Sequence, residues 1–218
     1  MPTRRTRHDV KTVVASLERL ATKRTREGLG RYGIPSDNAL GVTIRDIQKL
    51  ARQVGRDHEL ADALWQTGWY EARLLASFVD DPALVTSTQM DRWCRDFDNW
   101  GICDTVCFKL FDQSPHAWRK AAQWAARKPE FEKRAGFALM ACLALHDKKA
   151  PDDEFLPFLT LIEHAGRDDR NFVKKGVDWA LRAIARRNAT LKAAAADVSR
   201  RMTAARAASR RRASPKAL

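Results

Sequence analysis

The sequence predicts an all-α chain, an α-solenoid of about six stacked helical hairpins, and three observations carry that prediction. Apolar residues recur at helical spacing through segment after segment of about 10–20 residues. Short breaks containing Gly, Pro, Asp or Asn separate these segments, and no run reads convincingly as a strand. The links are short and each hairpin is too thin to bury its own apolar face, so neighbouring hairpins must stack. Internal self-similarity at a fixed period is weak, and the architecture rests on helix number and loop length.

In chain order, helices are expected at 9–21, 23–31, 43–54, 57–66, 69–79, 85–97, 100–112, 115–127, 130–146, 152–165, 169–187 and 190–210. Segment 32–42, Tyr-Gly-Ile-Pro-Ser-Asp-Asn-Ala-Leu-Gly-Val, is the longest connection. Its Gly and Pro predict a loop able to move or to touch a ligand. After Ser209 apolar periodicity ends and Pro215 blocks helix continuation. One domain is therefore expected over 1–208, followed by a basic, disordered tail over 209–218.

A chain of 218 residues can bury one substantial core. Its formal net charge of +13 favours a polyanionic partner. The charge sits at the ends. Residues 1–31 hold nine Lys/Arg against Asp9, Glu18 and Glu27, a net of +6; residues 200–218 hold seven and no acid, a net of +7. The middle sums to zero. Basic ends serve DNA contact or simple solubility, and charge alone identifies no site.

Cys94, Cys103, Cys107 and Cys142 have no CxxC spacing, and three of them fall within apolar helical patterns, which predicts reduced core residues. No metal and no cofactor is assigned. No apolar run approaches the ~18 residues of a membrane span, and Met1-Pro-Thr-Arg-Arg is not followed by a hydrophobic signal core. A soluble, cytoplasmic and monomeric protein is expected.

The helix starting near Trp100 has Asp98 or Asn99 as a good N-cap and Ile102, Cys103, Val106, Cys107 and Leu110 as its core face. Trp100 and Asp104 lie within about 40° of each other and off that face. A large aromatic and a carboxylate thus project together. A packing Trp with a surface salt bridge, or a functional pair, both fit this geometry.

The segment 172–187 has an apolar stripe of Val173, Val177, Ala180 and Ile184, opposed by Lys175, Trp179, Arg182 and Arg186. Cations on such a face can meet backbone phosphates while the indole packs on sugar or base. An inter-repeat packing Trp among solvated charges is the plainer alternative. Arg134 is expected at the edge of the stripe Phe131, Ala135, Ala138 and Cys142, able to pair with Glu130 or to fork towards a phosphate or Asp104.

Trp69-Tyr-Glu-Ala-Arg-Leu-Leu-Ala, Phe97-Asp-Asn-Trp-Gly-Ile-Cys-Asp, Lys133-Arg-Ala and Trp179-Ala-Leu-Arg together resemble the AlkD-type DNA alkylation repair enzymes. These are HEAT-like-repeat alkylpurine DNA glycosylases, and Asp-Asn-Trp-x3-Asp is the most specific element. The resemblance spans most of the chain and implies a concave basic groove. It implies Asp104 as the catalytic carboxylate, Trp100 and Trp179 lining the DNA cleft, Arg134 completing the site, and Arg182 and Arg186 on the backbone. It also implies a target base left largely stacked on double-stranded DNA. Gly101 departs from the family pattern, which often has Asp after the motif Trp.

Overall fold

A computed structural model describes residues 9–213, with side chains described through residue 208. Among the described residues are twelve α-helices and no strand. They form two compact units, one through Pro115 and one from His116.

The first unit contains α1 (Val10–Leu20), α2 (Lys23–Gly28), α3 (Ile44–Val54), α4 (His58–Gln66), α5 (Tyr70–Val79), α6 (Ser87–Arg95) and α7 (Trp100–Lys109). Thr22, Thr43, Asp57, Thr86 and Asn99 each accept a backbone N–H three residues on, satisfying donors that a helix start leaves open. Here α4 packs on α5, and α5 also packs against α3 and α7. Buried Trp65 and Trp93 stack with centroids 4.1 Å apart, linking α4 to α6. The Trp65 indole donates to Asp96 Oδ2 at 2.8 Å, so its one polar atom is satisfied. Buried Asp80 joins His58 Nδ1 at 2.6 Å and accepts from Gln89 Nε2 at 2.7 Å.

The second unit contains α8 (Ala117–Ala125), α9 (Glu130–His146), α10 (Leu156–Ala165), α11 (Asn171–Ala185) and α12 (Ala189–Ala213). Helix α9 lies between α8 and α11, and its buried residues run unbroken from Arg134 to Ala144. Gly136 permits the α8 approach, since a Cβ there would stand 2.3 Å from Ala125 N. At the other end of α9, Arg187 donates to the carbonyls of Ala144, Asp147 and Ala150 and lies 4.2 Å over the Phe155 ring. A cation there satisfies carbonyls left open by the helix end and meets its negative dipole. Leu191, Ala195 and Val198 form the buried stripe of α12, which packs against α10 and α11.

All twelve expected helices are present, with shifts at their ends. The segment expected over 23–31 closes as a 3₁₀ turn at Leu29–Tyr32, ending on left-handed Gly33. Helix α7 stops at Lys109, where Leu110 leaves helical geometry and Phe111–Gln113 form a 3₁₀ turn that buries Phe111. Helix α12 continues to Ala213. Of the tail expected over 209–218, residues 214–218 lie outside the described residues. Arg134, expected at a helix edge, is instead only 6% exposed, because α9 is covered on two sides. No helix among the described residues is long and apolar enough to cross a membrane.

Candidate functional site

Asn99, with 2% exposure, fixes the start of α7: its Oδ1 accepts from Ile102 N at 3.0 Å and its Nδ2 donates to Asp98 Oδ1 at 2.7 Å. Ile102, Cys103, Val106 and Cys107 point into the core. Trp100 and Asp104 emerge one turn apart on the other side, both half-buried. The helix therefore presents an aromatic surface and a carboxylate side by side.

The Trp100 indole donates to the Tyr32 carbonyl at 2.8 Å. That carbonyl begins the 32–42 loop, so loop and aromatic are fixed together. The loop is anchored along its length. Arg26 Nε donates to Ser36 O at 3.1 Å, and Tyr70 N donates to Asn38 O at 2.8 Å. Glu71, with no exposed surface, accepts the N–H groups of Leu40, Gly41 and Val42 at 2.8, 2.7 and 3.2 Å. Charge-assisted bonds to three successive amides hold this backbone firmly. Gly41, at φ +96°, is required there, since a Cβ would lie 2.3 Å from Thr22 O.

Gly101 makes room for neighbouring side chains. A Cβ at this position would stand 2.7 Å from the Tyr70 hydroxyl and 3.1 Å from both Asn99 Oδ1 and Ile34 Cδ1. Tyr70 occupies the volume that a side chain after the motif Trp would need. Burial, reinforced by Glu71 and Asp98, pushes the Tyr70 phenol up to about 12.

In the second unit, Arg134 and Glu130 grip one residue of α11. Arg134 Nη1 donates to Phe172 O at 2.7 Å, and Glu130 Oε1 accepts from Phe172 N at 3.0 Å. They set where α11 begins. Gly176 keeps α11 close to α9, its missing Cβ being 3.4 Å from Arg134 Cγ and Phe137 Cβ.

Along α11, Lys175, Trp179 and Arg182 share one side, continued by Arg186 at the helix cap. The three cations are exposed and Trp179 is half-buried. Among the described residues, the Trp179 indole has no hydrogen-bond or ring partner, in contrast to Trp100. Arg182 pairs with Asp178 at 2.7 Å, an exposed contact between residues one turn apart. Such a pair is worth about 0.3–0.5 kcal/mol and is readily exchanged for a phosphate. Lys175 Nζ lies 5.8 Å from the Phe172 ring centroid.

Sequence reasoning identified the Trp100 and Asp104 pair and the Trp179 face but missed Tyr32, Glu71 and Tyr70, which fix the surroundings of Trp100. Glu71 stands in the Trp69-Tyr-Glu segment, but nothing in its spacing reveals a partner 30 residues earlier. All four cysteines are buried and reduced. Among the described residues, no group of His, Cys, Asp or Glu has the makings of a metal site.

Comparison with known proteins places this geometry in context. No curated protein matches the chain by sequence. One solved structure is described as belonging to a new family of proteins related to the HEAT-like repeat DNA glycosylases with affinity for branched DNA structures. It superimposes with a TM-score of 0.80 at 23% identity, covering 89% of this chain and 83% of that one, so the two share a HEAT-like-repeat fold. The family described as DNA alkylation repair enzyme matches residues 13–216. With nearly the whole chain matched, this protein belongs to the DNA alkylation repair enzyme family.

Proposed function

We propose that the chain is a monofunctional DNA glycosylase of base excision repair, hydrolysing the N-glycosidic bond of cationic alkylated purines such as 3-methyladenine and 7-methylguanine. It acts as a cytoplasmic monomer on double-stranded DNA, with no cofactor. The observation that carries this reading is the side-by-side presentation of Trp100 and Asp104 on α7, with Trp100 held through Tyr32.

A purine methylated at N3 or N7 is already positively charged, so it leaves without protonation. When the bond from C1′ breaks, its electron pair neutralises the base and positive charge develops on the deoxyribose. A carboxylate beside the sugar stabilises that charge, and Asp104 takes this role. It also orients the water that attacks C1′ and accepts its proton. Trp100, beside Asp104, holds the cationic nucleotide through CH–π and cation–π contacts of about 0.5–2 kcal/mol, and the Trp179 indole offers contacts of the same kind to DNA. Lys175, Arg182 and Arg186 bind backbone phosphates. Arg134 acts as a positioning residue, through its bond to Phe172 at the start of the helix that carries Trp179.

The test is release of free 3-methyladenine and 7-methylguanine from methylated duplex DNA by the wild type and by Asp104→Asn. Loss of one well-placed electrostatic group predicts a fall in rate of about a hundredfold or more. Equal release by the two proteins overturns the role of Asp104.

A second reading is favoured by the structural likeness to a family with affinity for branched DNA. In it the same surfaces bind DNA of unusual shape without chemistry. No base release by the wild type even at high enzyme concentration, together with salt-sensitive binding that prefers a four-way junction to a duplex, would establish that alternative.

A further inference from the structure

Helices α11 and α12 border a groove of about 310 Å³ of which the roles above use only Lys175, at its edge. Asn171, Lys174 and Lys175 line its α11 wall, and Ser199, Thr203 and Arg206 line its α12 wall. Val177, Leu181 and Met202 form its apolar floor, and Ser199 and Thr203 keep the α12 rim low beside Arg206. A polymer backbone can therefore approach closely.

The charge in the groove is open to a ligand. Among the described residues, Lys174 has no carboxylate partner. Arg206 donates Nε to Gly166 O at 2.8 Å, and its Nη groups have no acceptor among the described residues. Asp178 is the one acid lining the groove among the described residues, and Arg182 already pairs with it. Lysine ammonium, guanidinium, amide and hydroxyl groups form the donor set that binds phosphate oxygens without reading sequence.

Lys175 belongs both to this groove and to the Trp179 face. One continuous polyanion lying on that face can therefore run on into the groove. The backbone of α12 also continues as helix through Arg210, Arg211 and Arg212. We infer that the α11–α12 groove is a second DNA-backbone track, binding phosphates of the duplex that flanks the segment on the Trp179 face, through Lys174 and Arg206. This inference rests on the DNA-binding reading given above.

Fluorescence anisotropy with the full chain and a labelled, unmodified duplex several turns long, across a salt series, tests it. Each phosphate contact contributes about 0.9 to the slope of log affinity against log salt. Lys174→Gln should lower the slope by about 0.9, and Lys174→Gln with Arg206→Gln by about 1.8. Because Arg206 also binds Gly166 O, the Lys174 single variant guards against a folding effect. Wild-type slopes in both variants overturn the track.

The triple variant Lys175→Gln, Arg182→Gln, Arg186→Gln separates the two readings. If it loses binding while the groove variants keep wild-type slopes, only the groove inference fails. If none of these variants alters DNA affinity, the DNA-binding reading fails as well. A labelled poly-glutamate whose binding depends on Lys174 while the DNA slope does not would assign the groove to an acidic protein, and so overturn the proposal.

Discussion

The Tyr70 hydroxyl of α5 lies against Gly101 of α7, and burial pushes the phenol up to about 12 from the ordinary 10.0. Because the folded-state value is the higher one, the folded protein keeps this proton while the unfolded chain has lost it. The resulting stability is fully present below pH 10 and is lost as pH rises towards 12. A loss of about 2–3 kcal/mol follows across that window. Urea midpoints measured over this range should fall more steeply for the wild type than for Tyr70→Phe. Parallel curves would show that the phenol titrates normally. The same residue accounts for Gly101, where any side chain would collide with the Tyr70 hydroxyl. Helix propensity alone marks Gly101 as a weakness, whereas its missing Cβ leaves the Tyr70 hydroxyl its place.

At the scale of elements, the two glycines on the flanks of α9 make opposite predictions. Gly136→Ala would drive a Cβ to within 2.3 Å of Ala125 N and 2.8 Å of Ala125 Cα, and backbone cannot step aside as a flexible side chain can. Overpacking should outweigh the ~1 kcal/mol gained in helix propensity and leave a net loss of about 2 kcal/mol or more. Gly176→Ala on α11 meets its nearest atoms at 3.4 Å, so the propensity gain should survive and stability should change by less than about 1 kcal/mol. Thermal unfolding of the two variants checks the pair, and a Gly136→Ala protein as stable as the wild type would refute the close α8–α9 approach. Arg134 belongs to this scale too. Its side chain was legible as a cation near an apolar stripe, but its burial follows from α9 having neighbours on two sides.

For the whole molecule, the net charge of +13 predicts DNA affinity that falls steeply with salt. Replacing Lys175, Arg182 and Arg186 by Gln should reduce the salt slope by about 2.7, less any share that Asp178 already takes from Arg182. Anisotropy titrations of wild type and triple variant measure that difference, and an unchanged slope would remove the α11 face from the DNA path. Net charge announced a polyanionic partner, yet residues 32–199 sum to zero, so the proposed interface depends on where a few cations face rather than on their total.

The sequence by itself determined the twelve helices, because helical periodicity and the residues that interrupt it are local properties. It also determined that Trp100 and Asp104 share one side of α7, and that Lys175, Trp179, Arg182 and Arg186 share one side of α11, because helix geometry fixes residues one turn apart. Tertiary structure alone decided what meets those faces. The bond from Trp100 to Tyr32 spans 68 residues, the clamp of Glu71 on Leu40, Gly41 and Val42 spans 29 to 31, and Arg134 reaches Phe172 across 38. Such partners are chosen by packing between distant segments, and no local pattern encodes them.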